Sequence, residues 1–179
     1  LMMVEELVVE GEHRYKILYR IAKELTSSLV ADEVLSSIVK SCTKAMGVKG
    51  CSLLLLTPDK TQLIHSISYG LSDWYLKKGP VRVDTITNDI LQGEPVAVLN
   101  ASEDPRVQYK EEAKREGIAS MLSIPLMPRG EVMGVIKVYT SEPRQFSSED
   151  IDFLSALANL GAIALEKAKL YESQGQSLE

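Results

Sequence analysis

The residues of this chain best suited to reactive chemistry are Cys42, Cys51, His13 and His65, its only cysteines and histidines. Thiols and imidazoles can attack a substrate, exchange disulfides or bind a metal. These four are scattered without the spacing of a metal site. Cys42 also lies on an apolar helix face, where a free cysteine acts as a small hydrophobe. No Ser-His-Asp set or glycine-rich phosphate loop accompanies them, so the sequence predicts no catalytic residue, no metal site and no bound cofactor.

The composition restricts the class of protein further. A chain of 179 residues that is 45% hydrophobic can bury one sizeable core. Its net charge of −5, with no cluster of basic residues, argues against a nucleic-acid partner. No apolar run reaches the ~18 residues of a membrane helix, and the first residues lack the basic start of a signal peptide. We therefore expect a cytoplasmic globular domain that binds neither nucleic acid nor a membrane.

Three long segments have the periodicity of helices and would position any site. The first carries two neighbouring apolar stripes, Tyr15-Leu18-Ala22-Leu25-Leu29 and Ile17-Ile21. The second has its apolar face within residues 35–46. The third runs from an N-cap at Ser147 to about residue 171, with Asp150 at the capping-box position. Shorter helices fit residues 85–92 and residues 105–116, and Asp104 would cap the latter.

Five short apolar or alternating segments predict β-strands, at residues 50–56, 62–68, 95–99, 119–127 and 132–140. Turn residues at 57–60 and 128–131 join two pairs of these segments into hairpins. A sheet made of hairpins is mainly antiparallel, and the long helices would cover one of its faces. The irregular middle segment, residues 69–117, would cover the other face. The residues thus predict an α+β fold.

Several motifs, taken in order, resemble those of the GAF domain family over about residues 15–171. They are GCSLLLL at 50–56, Tyr69-Gly70, LQGEPV at 91–96, Asp104-Pro105-Arg106, residues 120–126 with Gly130 and Gly134-Val135-Ile136, and FSSED at 146–150. The resemblance implies a profilin-like or PAS-like six-stranded antiparallel sheet, with the N- and C-terminal helices on one face. It also implies a ligand pocket on the other face. We place the domain at residues 13–172, between an extension at 1–12 and a tail at 173–179.

The family implies a function in signalling rather than a reaction. Its members occur in histidine kinases, phosphodiesterases, transcription activators and chemoreceptors, where they bind small ligands or mediate dimerisation. We therefore expect a non-catalytic sensory or regulatory module of a bacterial protein, followed by an output domain if this chain is a fragment. Since the fold does not fix a ligand, a ligand-free dimerisation scaffold stays open as the alternative.

The signatures of specialised family members are incomplete in this chain. Of the cyclic-nucleotide signature only Phe146 and Asp150 match, and attachment of a bilin would need a cysteine in the middle segment. A haem sensor would need an axial histidine, whereas His65 is expected to be a half-exposed strand residue. An enzyme like the free methionine sulfoxide reductases would need reactive cysteines, whereas Cys42 and Cys51 lie in apolar segments.

Family analogy also predicts the residues of the pocket wall. The candidates are Tyr69, Trp74, Val98, Asn100, Asp104, Met121 and Ser123. Trp74 and Tyr75 could stack on a planar ligand or simply fill the pocket.

The last helix is apolar on two faces, so one face would pack on the sheet and the other on a partner. That partner is either the first helix of the chain or a second copy in a homodimer. Ala158 and Gly161 are small enough for another backbone to approach, and arginine at either is expected to dissociate the dimer without unfolding it. The predicted dimer helices contribute Leu18, Ala22, Leu25, Leu154, Ala158, Gly161 and Leu165.

Overall fold

The computed structural model describes residues 2–27, 30–83 and 87–177, and its centre is a six-stranded antiparallel sheet. The strands are β1 Gly50–Leu56, β2 Gln62–Tyr69, β3 Val81–Arg82, β4 Val96–Val98, β5 Ser120–Leu126 and β6 Gly134–Thr140, in the spatial order β3-β2-β1-β6-β5-β4. The helices are α1 Met2–Ser27, α2 Ala31–Met46, α3 Asp73–Leu76, α4 Thr87–Leu91, α5 Lys110–Glu116 and α6 Ser148–Ser177. The predicted α+β architecture is confirmed.

Strand β3 is the strand that the residue pattern did not predict. Its two residues, Val81 and Arg82, pair with Leu63 and Gln62 at the edge of the sheet. Two residues are too few to show an alternating pattern, so only the family resemblance implied a sixth strand. The helix expected at residues 85–92 corresponds to α4, and residues 85 and 86 lie outside the described part of the chain.

The sheet separates two apolar cores because successive side chains of a strand point to opposite faces. In β6, Ile136 and Val138 belong to the core shared with α1, α2 and α6, which we call the helix-side core. Val135 and Tyr139 belong to the second core, under the middle segment. Because β6 lies between β1 and β5 in the middle of the sheet, it contributes side chains to both cores.

A β-bulge in β2 lets this strand serve both cores. Leu53 pairs with Ile67 and Leu54 pairs with His65, which leaves Ser66 as the extra residue. His65 therefore faces the middle segment, whereas Ile67 packs against the helix-side core. Strict alternation would have placed both of these side chains on the same face.

Helix α1 packs inward through the second predicted stripe and part of the first. Ile17 and Ile21 are buried together with Leu25 of the longer stripe, and Leu18 of that stripe packs against the same core, whereas its Tyr15 is 70% exposed. The last member of that stripe, Leu29, lies outside the described residues. Helical periodicity alone does not show which residues of two adjacent stripes face inward, because this depends on how α1 packs against α2 and α6.

The two predicted helix caps have different outcomes. The capping box of α6 is confirmed, because Ser147 Oγ accepts a hydrogen bond from the Asp150 amide at 3.0 Å and the Asp150 carboxylate accepts one from the Ser147 amide at 3.2 Å. The predicted cap at Asp104 is wrong, because α5 begins only at Lys110. Asp104 instead accepts a hydrogen bond from the Arg106 amide at 2.9 Å, a local turn that competes with helix formation.

Candidate ligand site

The middle segment encloses a small cavity against the sheet face opposite the long helices. The cavity has a volume of about 20 Å³, which is room for about one water-sized group. Its wall combines cationic, imidazole and phenol groups, from Lys78, Lys137, His65, Tyr75, Tyr109 and Tyr139. A second cavity of about 10 Å³ shares Lys137 with the first and is otherwise lined mainly by apolar side chains. We call the first of these the lysine cavity.

Three of the predicted pocket residues lie on this side of the sheet. Met121 lines the lysine cavity, Ser123 lines the smaller cavity, and Val98 is buried in the same core. All three come from β4 and β5, where alternation along a strand determines the face of each side chain.

Three other predicted pocket residues line neither cavity. Tyr69 is 38% exposed at the end of β2, and Asn100 is exposed and accepts a hydrogen bond from Ser102 Oγ at 3.0 Å. Asp104 forms an ion pair with Arg106 at 2.8 Å. These residues lie in loops or at strand ends, where sequence does not determine orientation.

Tyr75 and the seventh predicted residue, Trp74, form an aromatic cluster beside the lysine cavity. The Tyr75 ring meets Trp74 and Tyr139 edge to face, with centroids 6.0 and 6.1 Å away. The Arg115 guanidinium lies 4.4 Å from the Trp74 ring centroid, and the Lys78 ammonium lies 3.9 Å from that of Tyr75. Tyr75 thus lines the cavity, while Trp74 packs against Tyr75 and beneath Arg115.

The basic groups of the lysine cavity strongly influence one another. Lys78 Nζ lies 3.1 Å from His65 Nε2. Burial lowers the pKa of Lys137 to about 8, and burial together with the charge of Lys137 lowers the pKa of Lys78 to about 7. Burial and the charge of Lys78 lower the pKa of His65 to about 3. At neutral pH the imidazole is therefore neutral and accepts its hydrogen bond from Lys78.

The two cysteines lie on the other side of the sheet, in the helix-side core. Both are free and buried, and the Cys42 thiol donates to Met46 Sδ at 3.6 Å. Burial, followed by the neighbouring Cys42, raises the pKa of the Cys51 thiol. Both thiols are buried away from solvent, so neither cysteine is placed for attack on a substrate.

We expect both thiols to react at least ~100-fold more slowly with a water-soluble disulfide reagent in the folded protein than in urea, because reaction requires unfolding. The measurement is the rate of thiol labelling with and without denaturant. Labelling of the Cys42→Ser and Cys51→Ser variants would show which rate belongs to which thiol. Rapid labelling of either thiol in the folded protein would contradict this and favour an enzymatic role.

The residues predicted for the dimer helices lie mostly inside the protein. Leu25, Leu154, Ala158 and Gly161 are buried, and Leu18, Ala22 and Leu165 are partly buried. A Cβ added at Gly161 would lie 3.7 Å from Ile38 and Leu126, so the close approach is to α2 and β5 of the same chain. Arginine at Ala158 or Gly161 would disrupt this core rather than only dissociate a dimer.

An ion cluster joins the start of α6 to α1 and to the loop before α6. Asp150 Oδ1 accepts a hydrogen bond from Arg14 Nη2 at 2.8 Å, and Oδ2 accepts one from Arg144 Nη2 at 3.0 Å. Arg144 also donates to the Met46 carbonyl at 2.7 Å, which adds the end of α2. Burial alone would raise the pKa of Asp150, but hydrogen bonds from Arg14 and Ser147 and the charge of Arg144 outweigh it and hold this pKa below its ordinary value.

None of the described helices combines the length and hydrophobicity that crossing a membrane requires. Within residues 2–27, 30–83 and 87–177, no three His, Cys, Asp or Glu side chains are grouped as they would be around a metal ion.

The sequence has detectable relatives among regulatory proteins. The GAF domain profile matches residues 30–165. The chain is 25% identical over 175 residues to the formate hydrogenlyase transcriptional activator of Salmonella typhimurium, in an alignment covering 93% of this chain and 25% of that protein. It is 26% identical over 165 residues to the methyl sulfide methyltransferase-associated sensor of Methanosarcina acetivorans, covering 88% and 16%. The chain thus spans a quarter or less of the length of these relatives.

Solved structures share the fold. The GAF domain of the Acinetobacter phosphoenolpyruvate-protein phosphotransferase is 27% identical, with a TM-score of 0.72 over 87% of this chain and 94% of that one. The corresponding Coxiella burnetii domain is 21% identical, with a TM-score of 0.79 over 90% and 98%. The free methionine-R-sulfoxide reductase of Neisseria meningitidis has the same fold, with a TM-score of 0.70 at 16% identity over 88% and 91%.

Proposed function

Because the chain belongs to the GAF domain family, we propose that it is a non-catalytic regulatory module that binds a small molecule in the lysine cavity. The relatives include proteins named as a transcriptional activator and a sensor, which agrees with this role. The proposal rests on the position of β6, which contacts both the lysine cavity and the helix-side core. Lys137 and Tyr139 line the cavity, while the alternating Ile136 and Val138 pack in the helix-side core.

The same strand offers a route from the cavity to the terminal helices. A ligand that shifts Lys137 also shifts its neighbours, because close-packed cores respond to displacement by repacking. Helix α6 packs against β5 and β6 and continues to Ser177. A change in its packing is the signal that a following domain would receive. Such coupling requires a ligand that binds the two helix arrangements with different affinities.

The proposal is tested first by native mass spectrometry of the protein purified from cells, together with its absorption spectrum. We expect a mass above that of the bare chain and no visible absorption band, because a coloured group such as haem is far larger than the lysine cavity. Amide hydrogen exchange with and without the identified molecule then measures coupling. We expect altered exchange in β6 and in α6. Exchange that changes only around the cavity would contradict transmission to the helices.

A second candidate function, dimerisation through α1 and α6, follows from exposed apolar side chains on both helices. Tyr15 and Tyr19 lie one turn apart on α1, and Ile163 and Leu170 are exposed on α6. Exposed apolar groups on two neighbouring helices favour a homodimer that packs its helices into a four-helix bundle. This surface replaces the buried positions Ala158 and Gly161 as the proposed contact.

We expect Tyr19→Glu to weaken the dimer at least ~10-fold, since it places a charge in an apolar interface. Sedimentation velocity over a range of protein concentrations measures the dissociation constant. Leu99→Glu, at an exposed apolar position after β4, is the matched control and should leave the dimer intact. A wild-type protein that stays monomeric at every concentration would refute the dimer and leave the ligand site unaffected.

A further inference from the structure

The lysine cavity brings two lysine amino groups together, and among residues 2–27, 30–83 and 87–177 no carboxylate contacts either of them. Lys78 Nζ has neutral His65 Nε2 as its hydrogen-bond partner. Lys137 makes no hydrogen bond or ion pair with any residue that the structure describes, and its near neighbour is the Tyr139 ring, 5.7 Å from Nζ to the centroid. Buried cations are normally paired, because removing a charge from water without a counter-charge is costly.

The described acidic groups that act on Lys78 do not supply the missing counter-charge. Glu112 and Glu116 act on Lys78 only through their electric field, which is too weak to offset burial and the repulsion of Lys137. The Glu116 carboxylate accepts hydrogen bonds from the amide and the hydroxyl of Ser72, both at 2.7 Å. Its two oxygens are therefore already engaged outside the cavity.

His65 adds a donor that has no acceptor. Its Nε2 accepts the hydrogen bond from Lys78, so the proton of the neutral ring is on Nδ1, and Nδ1 is buried without a partner. A buried N–H without an acceptor is rare in folded proteins. Lys78, Lys137 and His65 line the same cavity, and among the described residues this set of donors has no anionic acceptor.

The size of the cavity limits the acceptor to a few heavy atoms. About 20 Å³ holds roughly one water-sized group, so an anion of three or four heavy atoms enters only if the partly buried lysine side chains shift. A nucleotide, a sugar or a flavin would require a far larger rearrangement. The Tyr75 and Tyr139 rings close the wall beside the lysines, so the occupant must also tolerate apolar surroundings. A single delocalised charge is easier to desolvate than a compact multiple charge.

We propose that Lys78, Lys137 and His65 form the binding site for a small monoanion, either a one- or two-carbon carboxylate or an inorganic anion of similar size. This inference names the ligand class for the function proposed above and rests on it. A bound monoanion would accept hydrogen bonds from both ammonium groups and neutralise the charge that burial makes unfavourable.

The test is titration calorimetry and thermal unfolding with sodium formate, acetate, nitrate and chloride, at an ionic strength kept constant with a bulky sulfonate. We expect saturable binding and a higher unfolding temperature for at least one of these anions, and neither for acetamide, a neutral analogue of acetate. Formate and acetate form one arm of the experiment, and nitrate and chloride form the other. Comparing the two arms shows whether the site prefers a carboxylate or an inorganic anion. If no anion binds more tightly than acetamide, the proposal is wrong.

Variants locate the site. Lys137→Met and Lys78→Met should each weaken anion binding about tenfold or more, because each loses one charged hydrogen bond. Lys137→Arg should retain most of the affinity. The matched control is Lys77→Met, which removes the same charge at an exposed position beside Lys78 and should bind normally. Unchanged affinity in both cavity variants would overturn the proposal, and far-ultraviolet circular dichroism verifies that each variant is folded.

The failure of this inference differs from failure of the proposed function. If native mass spectrometry finds a neutral or cationic molecule that a Tyr75→Ala variant no longer retains, the cavity binds a ligand and the monoanion assignment is refuted. If the protein carries no molecule and none of the anions binds, the ligand-binding function itself fails and the dimerisation scaffold is left.

Discussion

Replacing Asp150 with alanine is expected to lower the free energy of unfolding by about 3 kcal/mol, because it leaves the buried Arg14 guanidinium without its anion. Breaking a buried ion pair costs more than the pair itself contributes, since the remaining charge stays desolvated. Glu10 also contacts Arg14 at 2.7 Å, but it is about half exposed and replaces Asp150 only in part. The variant also removes one half of the capping box with Ser147.

Urea unfolding followed by circular dichroism measures this effect. Asp152→Ala is the matched control, because Asp152 is exposed two residues further along the same helix and its loss should change stability by less than about 0.5 kcal/mol. Asp150→Asn keeps an acceptor oxygen and removes the charge, so it separates the contribution of the hydrogen bonds from that of the charge. A loss below about 1 kcal/mol for Asp150→Ala would mean that Glu10 neutralises Arg14 unaided.

The same ion pair makes the effect dependent on pH. The pKa of Asp150 is lowered in the folded protein, so its contribution is present above the ordinary pKa of 3.8 and is lost as the pH falls through the lowered folded value. The difference in stability between wild type and Asp150→Ala should therefore be constant near neutral pH and shrink in acid. A difference that grew in acid would contradict this assignment.

This cluster also bears on how a signal could travel. Asp150 and Arg144 link α1, α2 and the start of α6 at one end of the helix layer. A helix held at its first turn moves most at its far end. We infer that repacking caused by β6 would displace the C-terminal half of α6, the half that leads towards any following domain.

Much of the fold was predictable because its signals are local. Hairpin turns and alternating strands indicated the antiparallel sheet, and the Ser147–Asp150 capping box indicated the start of α6. Strand β3 and the bulge at Ser66 were not predictable in this way. Both depend on pairing between distant segments, since Val81 pairs with Leu63 and Leu53 pairs with Ile67.

The lysine cavity was only partly predictable. Family analogy named Met121 and Ser123, which alternation along β5 places on the cavity side of the sheet, whereas the lysines were missed. A signal for Lys137 existed, because a lysine between Ile136 and Val138 in an otherwise buried strand contradicts the apolar pattern. Lys78 offered no such signal, since its position depends on how the segment around α3 folds back over the sheet.

The small residues of α6 show a different limit. Ala158 and Gly161 predicted the close approach of another backbone, whereas Gly161 makes ordinary van der Waals contacts with side chains of α2 and β5. A sequence pattern does not distinguish an element of the same chain from one of a second chain, because both bury the same kinds of side chain. Only the arrangement of α2 and β5 around Gly161 identifies the neighbour.

Replacing Lys137 with methionine should have the opposite effect to Asp150→Ala and stabilise the unliganded protein at neutral pH. Burial lowers the pKa of this lysine from 10.5 to about 8, and a shift of that size corresponds to as much as about 3 kcal/mol. Methionine has a similar length and no charge to desolvate, so it can fill the same space. We therefore expect a gain of about 1 to 3 kcal/mol near pH 7.

The pH dependence distinguishes this electrostatic cause from simple repacking. Between about pH 8 and pH 10.5 unfolded wild type holds a proton on Lys137 that the folded protein has released, so wild-type stability rises with pH in this window. The advantage of Lys137→Met should shrink accordingly. Among the groups facing Lys137, His65 stays neutral and Tyr75 and Tyr139 have raised pKa values, whereas Lys78, whose pKa falls from 10.5 to about 7, adds a change of the same sign between about pH 7 and pH 10.5. Lys78 is present in wild type and in Lys137→Met, so its contribution largely cancels in the difference between their stabilities.

Urea unfolding of wild type, Lys137→Met and the exposed control Lys77→Met at several pH values provides the measurement. Adding a monoanion that binds should stabilise wild type and leave Lys137→Met nearly unchanged, which narrows the gap at neutral pH. If Lys137→Met were less stable than wild type, or its advantage did not vary with pH, the Lys137 ammonium would be well solvated. The lysine cavity would then have no unbalanced charge for an anion to neutralise.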